Sequence, residues 1–117
     1  MTLPTWHEVK NIEELREFYL SKLDAIRAAA HECGYAIGAH GSFARDMDLI
    51  AVPWVEVVAT PNQLAHAIAM AACGIARKGP YDWETKPHGR IATSIPICWG
   101  YDHTTPGLGH IDLSVIQ

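Results

Sequence analysis

Cysteine is scarce and badly spaced for cross-linking: Cys33, Cys73 and Cys98 are three in 117 residues, with no C-x-x-C pair among them. Neither a disulfide framework nor a zinc knuckle is expected, and a reduced, intracellular setting follows. No apolar run approaches the roughly 20 residues needed to span a bilayer. The opening residues, Met1 to Glu8, carry neither the basic start nor the apolar core of a signal peptide. The expectation is a cytoplasmic protein with no membrane partner. A basic surplus is also missing: nine Lys and Arg stand against thirteen Asp and Glu, a formal charge of −4. Nucleic acid is therefore not indicated as a partner, and a bound nucleotide would need local residues or a metal to meet its charge.

What is present is an ordinary core-forming composition, 49% hydrophobic, in a length that suits one domain over residues 1–117. Asn11 and Glu14 make a capping-box pattern. Ile12, Leu15, Phe18, Tyr19, Leu23, Ile26 and Ala30 then recur at helical spacing, which predicts a helix over about 12–32 stopped by Gly34. Residues 35–39 and 46–52 read as strands around a turn at Gly41-Ser42, and Pro53 marks a strand end or edge. Residues 54–58 read as a continuing extended path. Thr60-Pro61-Asn62-Gln63 is a second helix start, followed by an alanine-rich stripe that ends at Gly74 or Gly79. Residues 78–89 read as a long surface loop, 90–99 as a strand and 100–109 as a connection. Residues 110–116 form a closing strand with apolar Ile111, Leu113 and Val115 on one face and His110, Asp112 and Ser114 on the other. This order predicts an α+β fold, a small mixed or antiparallel sheet with two helices packed on one face.

The chemistry gathers in His40-Gly41-Ser42-Phe43-Ala44-Arg45-Asp46-Met47-Asp48-Leu49. On a strand, Asp46 and Asp48 project side by side, and two such charges repel unless a cation or a proton sits between them. Mg²⁺, which takes a few carboxylates together with water and phosphate oxygens, is the cation this pair suggests. Asp112 supplies a third carboxylate if its strand pairs beside 46–52. Three convergent carboxylates next to a Gly-Ser turn suit phosphoryl transfer, with backbone N–H groups holding phosphate and one carboxylate accepting a hydroxyl proton.

Gly41-Ser42, Asp46-x-Asp48 and Asp112 together resemble the nucleotidyltransferase superfamily of the DNA polymerase beta type, and residues 41–54 are similar to a small phage- and prophage-encoded branch. The resemblance implies a nucleotide ligand, metal-binding and catalytic roles for Asp46, Asp48 and Asp112, and phosphate contacts from Gly41 and Ser42. Arg45 and Arg90 are the candidate cations for the nucleotide. Only Phe43, Ala44 and Arg45 separate the turn from Asp46, where the superfamily places a longer stretch, commonly part of a helix. Two other readings stand beside this one. A non-catalytic protein could sequester a nucleotide signal with Arg45, Lys86, His88 and Arg90 on phosphate and Trp54, Tyr81, Trp83 or Trp99 on the base. His40, Asp48 and His110 loosely resemble the zinc set of D-alanyl-D-alanine-type peptidases. A short sheet with free edges leaves room for a homodimer or a partner chain.

Overall fold

A computed structural model of the chain describes residues 12–43, 45–97 and 109–117. The expected cap Asn11, the connection over 100–108, His7, Cys98 and Trp99 lie outside the described residues. Helix α1 spans Ile12–Glu32 and helix α2 spans Pro61–Cys73. The strands are β1 (Tyr35–His40), β2 (Asp46–Pro53), β3 (Glu84–Lys86), β4 (Arg90–Ile97) and β5 (Gly109–Ile116). They form one sheet in the order β1-β2-β5-β4-β3. Every pairing is antiparallel except β2 with β5, which is parallel. The fold is α+β, a mixed sheet with helices packed against it.

Side-chain alternation divides the sheet into two unlike faces. Met47, Leu49 and Ala51 of β2, Ile111, Leu113 and Val115 of β5, and Ile95 and Ile97 of β4 are all buried. They meet Leu15, Tyr19, Ile26 and Ala30 of α1 and Leu64, Ile68 and Ala72 of α2 in one core. Each fully buried Leu or Ile contributes about 1.5–3 kcal/mol, so this face dominates the stability. Small residues on α2, Ala65, Ala69 and Ala72, let the helix approach the layer beneath it closely. Its N-terminus has the expected box: Thr60 accepts from the Gln63 N–H, and the Gln63 side chain accepts from the Thr60 N–H. Gly74 closes the other end in the left-handed conformation. The alternate strand positions, among them Asp46, Asp48, Asp112, Ser114, Ala92 and Ser94, lie on the opposite face.

Two segments differ from the sequence reading. The stretch after Pro53 bends instead of extending, because the Trp54 N–H donates to Gly34 O and Val55 and Val58 close against Gly34. A side chain at residue 34 would meet Val55 Cγ2 at 2.8 Å. The expected loop over 78–89 contains β3, which pairs with β4 through a short turn in which His88 and Gly89 both have positive φ. Asn62 on the first turn of α2 anchors the approach to β3, its Oδ1 accepting from the Tyr81 N–H at 2.9 Å and from Trp83 Nε1 at 2.8 Å. Asn62→Ala is expected to cost about 1–3 kcal/mol, because it strands the donor of a largely buried tyrosine. Urea unfolding followed by tryptophan fluorescence measures that loss.

Candidate functional site

His40 and Asp48 face each other across β1 and β2, so the chain reverses between these strands in a short connection. Gly41 makes this reversal at φ 86°, and a Cβ there would lie 2.9 Å from Asp48 Oδ2. Only glycine lets the backbone pass so close to that carboxylate in this conformation. Phe43 also has a positive φ, 58°, which is rare for a bulky residue. It is held there by burial and by an edge-on contact with the Tyr19 ring, 6.1 Å between centroids. Helix α1 pins the same connection twice more: Arg16 Nε donates to Ser42 O at 3.0 Å, and the Tyr19 hydroxyl donates to Arg45 O at 2.7 Å. Tyr19 also accepts from the His110 N–H at 3.1 Å. One phenol therefore ties the start of β2 to the start of β5. Burial, with Asp46, Asp112 and Asp48 adding to it, pushes its pKa up to about 12 against the opposing His110 backbone bond. The hydroxyl remains protonated and able to donate throughout the physiological range.

The parallel pairing sets Asp48 directly beside Asp112 and Asp46 beside His110. His40, Asp48, Asp112 and Ser94 thus form a row across four strands on the open face. Asp46 lies two positions before Asp48 on that face. All three carboxylates are half-buried. The Asp112 carboxyl is pushed above the usual range, first by burial, then by the Asp46 and Asp48 charges and by a hydrogen bond with Asp48; His110 opposes this. The register thus holds Asp48 and Asp112 together against their mutual repulsion. Among the described residues, no three His, Cys, Asp or Glu side chains stand ready to hold a metal together. A divalent cation would have to draw the oxygens round itself and offset that repulsion. The donor set, hard carboxylate oxygens on one open face, fits Mg²⁺ chemically.

No known family model matches the chain, and no curated protein matches it significantly.

The remaining candidates separate by position. Gly41 and Ser42 sit at the Asp48 end of the site. The next element after them is β2, not a helix, so no helix N-terminus backs the turn. Arg45 is exposed, and no described ion pair joins it to Asp46. Arg90 lies farther along the open face, with Nε donating to Pro87 O at 3.3 Å and Nη1 to Ser114 Oγ at 3.4 Å. Lys86 pairs with Glu84 at 3.1 Å, and His88 forms the β3–β4 turn. The aromatics do not gather at the carboxylates. Tyr81 and Trp83 are bound to Asn62, while Trp54 stacks on His31 at 4.5 Å, about 20 Å along the strand from Asp48. His40 is in the Asp48 row and His110 is beside Asp46, without a common metal-holding arrangement with Asp48.

Tyr19 is the residue that pattern reading passes over, since a tyrosine in a helix's apolar stripe looks like packing. Tyr19→Phe leaves the Arg45 carbonyl and the His110 N–H without their partner and is expected to lower stability by about 1–3 kcal/mol in urea titration. Asp112→Asn should act in the opposite sense. A raised acid contributes stability that is complete below its unfolded pKa and is lost as pH climbs through the folded value. In EDTA, the variant should therefore melt above the parent at pH 7.5 by a few degrees, under about 1 kcal/mol after solvent screening. The gap should narrow toward pH 4, as paired thermal melts will show.

Proposed function

We propose that the chain is a minimal nucleotide-binding domain of the nucleotidyltransferase type, acting in the cytoplasm. It would hold a nucleoside triphosphate through a divalent metal at Asp46, Asp48 and Asp112, with nucleotidyl transfer as its reaction. The observation that carries this reading is the register of β2 and β5, in which Asp48 and Asp112 are direct neighbours while Gly41 lies against the Asp48 carboxylate. A carboxylate pair kept together at the cost of mutual repulsion, on the face that the helices leave open, suits a cation-dependent ligand better than a structural role. Bound Mg²⁺ would neutralise triphosphate charge and polarise the reacting phosphorus.

The chain's own residues divide the remaining work. Gly41 and Ser42 offer backbone N–H groups to phosphate oxygens. Tyr19 fixes the two strand starts so that Asp46 and Asp112 keep their separation. Asp112, half-buried and beside the open groove, would take the proton of an attacking hydroxyl. Because a two-residue turn is a weak phosphate cradle, the metal must meet most of the triphosphate charge. Lys86 and Arg90 are held by their own neighbours, which disfavours metal-free phosphate capture.

Isothermal titration with ATP and GTP tests the reading. Binding is expected with Mg²⁺, is lost in EDTA, and falls at least roughly tenfold in Asp48→Asn, consistent with loss of a charged contact. Equal binding in EDTA would instead identify a sequestering protein, and no binding under any condition would overturn the nucleotide reading.

A further inference from the structure

On the open face, on the side of Asp112 away from the Gly41 turn, lies a groove of about 530 Å³. This volume suits a small molecule. Its depth has a simple cause: the paired positions Ala92 and Ser114, and Ser94 beside Asp112, put small side chains on neighbouring strands. Its β3 edge carries Glu84 and Lys86, with Asp82 just before them and Arg77 also lining the groove.

The groove's charge argues against phosphate. Its two cations are each matched, Lys86 by Glu84 at 3.1 Å and Arg77 by Asp82 at 3.6 Å, and Asp112 adds a third carboxyl. A triphosphate tail would meet more negative than positive charge here. The floor offers hydroxyl chemistry instead. Ser94 lies opposite Asp112, with no side-chain partner among the described residues, and Ser114 accepts from Arg90 while keeping its own proton to donate. Two hydroxyls and a carboxyl pointing into one hollow complement a ligand that both donates and accepts hydrogen bonds.

From this we infer that the groove between β3 and β5 binds a small hydroxyl-bearing molecule, uncharged or zwitterionic, through Ser94, Ser114 and Asp112. Its role as the second substrate rests on the nucleotidyl-transfer reading. In that role, the ligand's hydroxyl oxygen forms a bond to the α-phosphorus of the nucleoside triphosphate as the bond to departing pyrophosphate breaks. The hydroxyl proton passes to an Asp112 oxygen. Binding itself needs no nucleotide, so the site can be examined separately.

Amide chemical shifts of the ¹⁵N-labelled full chain provide the test, with glycerol, L-serine and inorganic pyrophosphate as probes, and MgATP in a parallel titration. Glycerol or L-serine is expected to move residues 84–86, 92–94 and 112–114. Ala92→Leu, which fills the floor from the open face, should abolish those shifts, and Ser94→Ala should weaken binding roughly tenfold, as for one or two lost hydrogen bonds. Retained spectral dispersion shows that each variant is folded. The inference is overturned if neither hydroxyl probe moves the groove, if Ala92→Leu leaves the shifts intact, or if pyrophosphate moves the groove in preference to them. MgATP shifts at residues 41–48 report separately on the metal–nucleotide reading.

Discussion

A parallel strand pair cannot be closed by a tight turn, and the pairing of β2 with β5 is therefore the constraint to which the rest of the chain answers. The chain leaving Pro53 passes through α2, β3 and β4 before it returns beside β2 in the same direction. That route places α2 against the core, builds the β3–β4 hairpin as the far wall of the open face, and brings Asp112 alongside Asp48. Tyr19 secures the junction where β2 and β5 begin, through one phenol bonded to both. The same register that interdigitates Leu49 with Leu113 on the core face thus brings together two carboxyls on the other.

The energetics of the two faces oppose each other unequally. The core face buries many Leu, Ile and Ala side chains without an unsatisfied side-chain polar atom among the described residues. The open face holds three like-charged groups close enough to raise the Asp112 pKa. Several kilocalories from apolar burial outweigh a screened repulsion of about one. The fold can therefore hold a carboxylate cluster that local interactions alone would disperse.

Most of the architecture was legible because it rests on local signals. The Thr60–Gln63 box, the stripe from Leu15 to Ala30 and the alternation from Ile111 to Val115 each express a period or a cap that needs no knowledge of partners. Strand β3 was not legible: Glu84-Thr85-Lys86 has no apolar alternation and becomes a strand only because β4 offers an edge and Asn62 holds its approach. The bend after Pro53 depends on Gly34, some twenty residues earlier, accepting from Trp54. At the site, the shared face of Asp46 and Asp48 follows from strand period alone. The neighbour of Asp48 does not, since register between distant strands is a tertiary outcome. Tyr19 was hidden for a different reason, because its ring satisfies the helix's apolar pattern while its hydroxyl makes the contacts that matter.

The long detour between β2 and β5 also orders events in time. Local pieces, the capped helix α2 and the hairpins β1–β2 and β3–β4, close small loops, whereas the parallel pair must close a large one and forms slowly by comparison. Asp112 therefore meets Asp48 only when this large loop closes. Until then the chain keeps Asp48 and Asp112 apart and free of mutual repulsion. Closure of the sheet and assembly of the carboxyl cluster are one and the same contact.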